Sequence, residues 1–296
     1  MAHGVLNINN QTLFASSQIR PVTQLDFIQF SDLNHTTTFS TNAASAGSEG
    51  AGFGVAASSA SFGISNSTST AGFGGMTGPS SAISITTSTT NNATDVGSIN
   101  TLSTLLPGLP IPAAGFITKY EFETRIRTAA TIHSNTVRGA FRAGFMDVNG
   151  MNTAGDSSFA GPHFRFMCNG TVTDTNWMIY WVNPNSGLNS TADTGVAVNV
   201  STTYRLYLAT EVNSAGVYTT TYKIFNENTG TKTEGTASPS ASTHNTGEGW
   251  STYAMGAAVV NCKAVTATTT AIALYIDYMG VRIRRPISRE ILIGSI

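Results

Sequence analysis

Charge is what this chain has least of. Charged residues make up 10% of the 296, against about 25% in ordinary soluble domains. The net charge is −1 and the isoelectric point about 6.5. No general basic field exists to hold phosphates, so nucleic acid is not an expected partner. Cysteine is nearly as scarce. The two present, Cys168 and Cys262, do not make a disulfide framework; a pair of buried thiols is the simpler reading, and a single bridge stays open. Long apolar runs are missing as well. Nothing approaches the roughly 18 residues that cross a bilayer, so membrane insertion is not expected. The opening MAHGVLNINNQTLF has no basic region followed by an apolar run, so it reads as no secretion signal. Asn-x-Ser/Thr triplets at Asn66, Asn169, Asn189 and Asn199 are what chance gives in so Asn-, Ser- and Thr-rich a chain. Helical periodicity is absent too: apolar residues at spacings of three, four and seven nowhere persist over successive turns.

What fills the space is Ser, Thr, Asn and Gly beside 41% hydrophobic residues. That mixture disfavours helices, because these side chains compete for backbone hydrogen bonds or leave the backbone too free. It suits strands joined by many turns. Residues 1–23 read as an extended N-terminal arm with a few apolar anchors, Val5, Leu6 and Ile8, closed by Pro21. Residues 24–105 are almost uncharged and read as short strands, with Phe27, Phe30, Phe53, Phe62 and Phe73 as isolated large residues. Pro107, Pro110 and Pro112 then block ladder bonding and mark a connection.

The clearest strands follow. Lys119–Arg127 alternates Tyr120, Phe122, Thr124 and Ile126 with Lys119, Glu121, Glu123, Arg125 and Arg127, the pattern of a half-buried strand. Phe141 and Phe145 oppose Arg142, and Phe164 and Phe166 alternate with His163 and Arg165. Trp177, Ile179 and Trp181 face away from Met178, Tyr180 and Val182, so both faces of that strand read as covered. Tyr204–Val212 and Val217–Phe225 flank a short Gly-containing hairpin loop. In the last long strand Ile272, Leu274, Ile276 and Tyr278 fall in step. Many strands at short spacing make an all-β sandwich or barrel.

The segments YEFETRIR, VRGAFRAGFMD, NWMIYWV, ADTGVAV, YRLYLATEVNSAGVYTTTYKIFNENTG and IALYIDYMGVRI occur in that order, preceded by DFIQFSDLN. Together they resemble the concanavalin-A-like jelly-roll domain of bacteriophage virion structural proteins. The resemblance covers residues 24–285, with the arm 1–23 before it and a C-terminal tail, 286–296, after it. It implies a jelly-roll β-sandwich with extended N- and C-terminal arms. It further implies a non-enzymatic virion protein, assembled in the host cytoplasm. That protein would be a homo-oligomer, a trimer by this likeness, of the capsid decoration or cement type, with the major capsid protein as its partner. The alternative is a tail-fibre or tail protein that binds a receptor or a host surface glycan.

Glucanases of this fold carry two carboxylates on one strand as nucleophile and acid, in a Glu-x-Asp-x-x-Glu run, and no such run occurs. Glu121 and Glu123, beside Arg125 and Arg127, read as an ion-pair ladder on a solvated face. Asp147, Asn149 and Asp156 could offer oxygens to a cation, but Asx residues in a Gly-rich turn more often bond their own backbone. The five histidines, His3, His35, His133, His163 and His244, are scattered. No cofactor or metal is expected. Trp250, in a Gly-Glu-Gly-Trp loop, is the candidate for glycan stacking or an interface. The candidate partner-binding segment is the C-terminus: Arg282, Arg284, Arg285 and Arg289 precede an apolar tip that includes Ile291, Leu292 and Ile293. Arginines there could grip carboxylates of a partner, and the tip gains by burial.

Overall fold

The computed structural model describes residues 5–8, 11–14, 24–32, 47–49, 53–57, 63–67, 82–86, 96–101, 119–130, 132, 139–146, 162–168, 173–182, 189–212, 218–238, 257–264 and 273–286. Up to residue 101, and in 257–264, it describes the backbone alone. The strands in chain order are β1 (Val5–Ile8), β2 (Gln11–Phe14), β3 (Gln24–Asp32), β4 (Gly47–Glu49), β5 (Phe53–Ala57) and β6 (Gly63–Ser67). β7 (Ala82–Thr86), β8 (Val96–Thr101), β9 (Lys119–Thr128), β10 (Gly139–Met146), β11 (His163–Cys168) and β12 (Asn176–Val182) follow. The last are β13 (Asn189–Ala197), β14 (Thr203–Val212), β15 (Tyr218–Asn226), β16 (Thr231–Ala237), β17 (Ala257–Ala264) and β18 (Ala273–Pro286). Among the described residues there is no helix.

Two antiparallel sheets stack as a jelly-roll sandwich of the concanavalin-A-like kind. Sheet I runs β16-β15-β14-β9-β18-β7-β6, with β3 also paired to β18. Sheet II runs β13-β12-β11-β10-β17-β8-β5-β4. The non-consecutive neighbours, such as β9 beside β14 and β18, tie the two ends of the chain into one core. β1 and β2 pair only with each other among the described strands.

Alternation decides which side chains meet between the sheets. Phe122 and Ile126 of β9, Leu206 and Leu208 of β14, and Leu274 and Ile276 of β18 are fully buried from sheet I. Phe141, Phe164, Phe166, Trp177, Ile179 and Trp181 are buried from sheet II. The two sets touch edge to face: Phe122 lies 6.1 Å from Phe145, and Trp177 lies 5.7 Å from Tyr204, centroid to centroid. Trp181 Nε1 donates across the core to Thr220 Oγ1 at 3.3 Å. The core reading of Trp177 and Trp181 is thus what the structure holds.

One expectation fails. Tyr278 is out of step with Leu274 and Ile276, because β18 has a bulge against β9 between Ile276 and Tyr278. The extra residue, Asp277, shifts Tyr278 to the outer face, where its hydroxyl donates to Glu123 Oε1 at 2.6 Å. Met279 and Val281 then take over the inward positions.

Tyr204 pins the β13–β14 corner. Its hydroxyl donates to the Ala197 carbonyl at 2.9 Å and accepts from Asn199 N–H at 2.8 Å. Burial pushes the phenol's pKa up. Tyr204→Phe would remove both of these part-buried bonds, at about 0.5–1.5 kcal/mol each. Urea unfolding should show that loss with an unchanged strand spectrum. A change within error of zero would mean that the hydroxyl is replaceable there.

Candidate functional site

The strand registers assemble a polar face on the outer side of sheet II. Arg142 of β10 lies opposite Arg165 of β11, and Gly144 opposite His163. His163 in turn lies opposite Tyr180 of β12, and Arg165 opposite Met178. Met178 faces Asp193 of β13. On the other side Arg142 lies opposite Asn261 of β17, which lies opposite Ser98 of β8. Phe141, Phe164, Phe166, Trp177 and Trp181 occupy the alternate positions and turn into the core, so Arg142, His163, Arg165 and Tyr180 share the opposite face.

Two guanidinium groups side by side on adjacent strands repel each other. Asp174, in the β11–β12 turn, offsets this. Arg165 donates to it through Nε at 3.1 Å and Nη2 at 3.2 Å, a two-pronged contact. Asp174 also accepts from Met167 N–H at 2.9 Å, and its own N–H donates to the Met167 carbonyl at 2.8 Å. The Arg165 guanidinium sits 4.2 Å from the Tyr180 ring centroid, and His163 packs edge to face on that ring at 5.4 Å. Arg142 is 1% exposed, His163 0% and Arg165 6%. Alternation with Phe141, Phe164 and Phe166 sets these residues on the outer side of the sheet, yet they are covered. Arg142, His163 and Tyr180 are also engaged within the fold. The chemistry of the set, two fixed cations beside an imidazole and a phenol, suits a carboxylate- or hydroxyl-bearing ligand. In this structure the groups serve one another.

The outer face of sheet I corrects a second expectation. Glu121 and Glu123 do not form a simple ladder with the arginines of their own strand. Glu121 Oε1 accepts from Tyr207 Oη at 2.6 Å and lies 3.5 Å from Lys119 Nζ, while its Oε2 is 3.7 Å from Arg282 Nε. Glu123 is held by Tyr278, whose own pKa is raised by burial and by that carboxylate. Arg125 is buried rather than solvated. Its Nη1 donates to Asp277 at 2.8 Å, and its Nε and Nη2 donate to Glu227 at 2.9 and 2.6 Å. Arg205 reaches the same Glu227. Desolvation would raise the Glu227 pKa, but hydrogen bonds from Arg125 and Arg205 outweigh it and hold the carboxyl below its ordinary value. None of this resembles a paired acid and base.

Of the C-terminal candidates, Arg282, Arg284 and Arg285 fall within β18. They lie opposite Ile28, Asp26 and Leu25 of β3, and Arg282 and Arg284 lie opposite Glu121 and Lys119 of β9. Arg289, Ile291, Leu292, Ile293 and Trp250 lie outside the described residues, as do Asp147, Asn149 and Asp156. Among the described residues no three His, Cys, Asp or Glu side chains are grouped to hold a metal ion. Cys168 lies opposite Gly139 and Cys262 opposite Phe141, on strands either side of β10. Two strand spacings are about 10 Å, so this register sets the two Cα atoms farther apart than the roughly 7 Å that a disulfide spans.

No protein-family model and no curated protein sequence matches the chain. Solved structures do share its fold. Basic winged bean lectin, solved with Tn-antigen, matches with a TM-score of 0.50 and 9% identity, over 89% of this chain and 100% of that one. Lectin II from Ulex europaeus gives 0.47 and 11%, over 87% and 98%. The endo-β-1,4-glucuronan lyase of the fungus Trichoderma reesei gives 0.44 and 13%, over 74% and 86%. At 9% identity the winged bean lectin match speaks for the jelly-roll architecture and for nothing finer.

Proposed function

We propose that this chain is a non-enzymatic structural protein of a phage particle, of the capsid decoration or cement type. The jelly roll is its rigid body, and its terminal segments are its attachments. The observation that carries this reading is how the described charges are used. Arg125 with Glu227 and Asp277, and Arg165 with Asp174, are locked into buried or half-buried ion pairs. Such networks stiffen a body and leave those groups no chemistry to perform. The order of segments from Lys119 to Ile283 supports the particle context. The tail, with Arg289, Ile291, Leu292 and Ile293 beyond the β18 arginines, is the part assigned to docking on the shell.

The test is imaging of purified particles that carry the labelled protein, with and without residues 287–296. Regular copies on the shell are expected, with occupancy lost and melting temperature kept in the truncated form. Absence of the full-length protein from particles overturns the proposal. Truncation that leaves occupancy unchanged removes the tail as the anchor.

The second reading is a glycan-binding tail or fibre module. The clustering of Arg142, Arg165, His163 and Tyr180 on one sheet face favours it. Saturable binding of the full chain to an acidic or neutral glycan, with no particle occupancy, would replace the first reading by this one.

A further inference from the structure

We propose that the outer edge of β16, unpaired among the described strands, joins two copies of this chain, strand to strand, about a two-fold axis. β16 (Thr231–Ala237) ends sheet I, and among the described strands it pairs only with β15. Each of its residues is exposed or half-buried. Such an edge presents a row of backbone N–H and C=O groups able to take another strand. The edge is also held stiff. The Asn226 side chain accepts from Asn228 N–H at 3.0 Å and Thr229 N–H at 3.3 Å in the preceding turn. Tyr222 packs over Gly235 so closely that a Cβ there has no room.

Backbone geometry limits how β16 can meet itself. In an antiparallel pair, residues directly opposite each other point their backbone groups both across the shared edge or both away from it. A two-fold self-pairing must therefore centre on a residue, never between two. Centring on Lys232 sets that ammonium against its own copy. Centring on Glu234 does the same with carboxylates. Centring on Thr233 places Lys232 opposite the partner's Glu234, and Glu234 opposite the partner's Lys232. Thr233 then meets the partner's Thr233 on the other face. Opposite charges and threonine pairs across strands are favourable, and like charges are not. Of these three centres charge selects Thr233, which is the register that forms two opposite-charge pairs.

Within one copy Lys232 Nζ lies 2.8 Å from Glu234 Oε2, with both side chains 57% exposed. An exposed pair of that kind contributes little in water, so exchanging it for two intermolecular pairs meets little resistance. A lysine on an edge strand ordinarily discourages pairing. Here Glu234, two residues on, turns that safeguard into a selector for a single partner and register. An isologous contact closes on itself, so it yields a dimer where the sequence resemblance implied a trimer. The inference concerns self-association only and stands apart from whether the chain rides on a particle.

The test is light scattering of the full chain and two charge reversals. The wild type should have twice the mass of 31.0 kDa. Lys232→Glu and Glu234→Lys each turn both cross-strand pairs repulsive, which should weaken association about ten-fold or more. Mixed together, the two variants complement each other across the edge, and dimers should return. The pair inside each chain stays broken, so rescue cannot come from repaired folding. Circular dichroism should be the same for all three proteins. A monomeric wild type, a three-fold mass, variants that stay dimeric or a mixture that stays monomeric would each overturn the proposal.

Discussion

Replacing Gly144 by alanine is expected to destabilise the protein by about 3 kcal/mol or more. Gly144 sits in β10 with φ at +148°, a conformation that side-chain-bearing residues rarely adopt. Holding alanine there costs about 1–3 kcal/mol. The space is worse than the angle. An ideal Cβ would lie 2.6 Å from His163 Cα and 2.8 Å from the Pro162 carbonyl oxygen. These are backbone atoms, fixed by the hydrogen bond from Phe145 N–H to that same carbonyl at 3.0 Å. No rotamer change relieves the clash. β10 and β11 must separate, which adds about 1–3 kcal/mol of overpacking strain. His163 would be displaced from the Tyr180 ring with them. Gly195→Ala is the control. Its φ is +69°, but nothing lies within 4 Å of the added carbon, so only the roughly 1–2 kcal/mol of left-handed backbone applies. Urea titrations that rank the two substitutions equally would show that β10 and β11 are not held this tightly.

The architecture was legible wherever alternation was strict. β9 and β12 announce their faces through Phe122, Ile126, Trp177 and Trp181, and the chain between them is long enough to cross from sheet to sheet. A bulge is not legible that way. One inserted residue, Asp277, reverses the phase of everything after it, and period-two counting cannot see it. The polar sites were less legible still, for an electrostatic reason. An arginine at an outward position reads as solvated unless its partners are known. Arg125 finds Glu227 and Asp277 at sequence separations of 102 and 152. Only the folded topology brings those together. Arg165 and Asp174, only 9 apart in sequence, were within reach of a hairpin argument. The covered outer face of β12 carried the hint, since Met178 and Tyr180 are poor solvent-facing residues. Separate sheets explain the rest: the residues of the sheet II face come from strands whose order, β12-β11-β10-β17-β8, no local pattern encodes.

Replacing Arg125 by methionine is expected to lower stability by about 3 kcal/mol at neutral pH, the lower end of what breaking a buried ion pair costs. Methionine keeps much of the length and apolar bulk, so the loss isolates charge and hydrogen bonding. Asp277 would lose the donor 2.8 Å away. Glu227 would keep only Arg205, whose side chain is 53% exposed and a weaker holder in water. The pH dependence gives the sharper test. Glu227 has its folded pKa below the ordinary 4.5. Its contribution is therefore complete above that value and is lost as pH falls through the lowered folded one, because the unfolded chain takes up its proton first. Arg125 comes first among the groups that lower it, ahead of Arg205. The wild type should accordingly lose stability below about pH 4.5 more steeply than the variant, so the gap between them narrows in acid. Urea unfolding of the pair at neutral pH and stepwise into acid reads this directly. A gap that is the same at every pH would mean that Arg125 acts through packing rather than through the charge of Glu227.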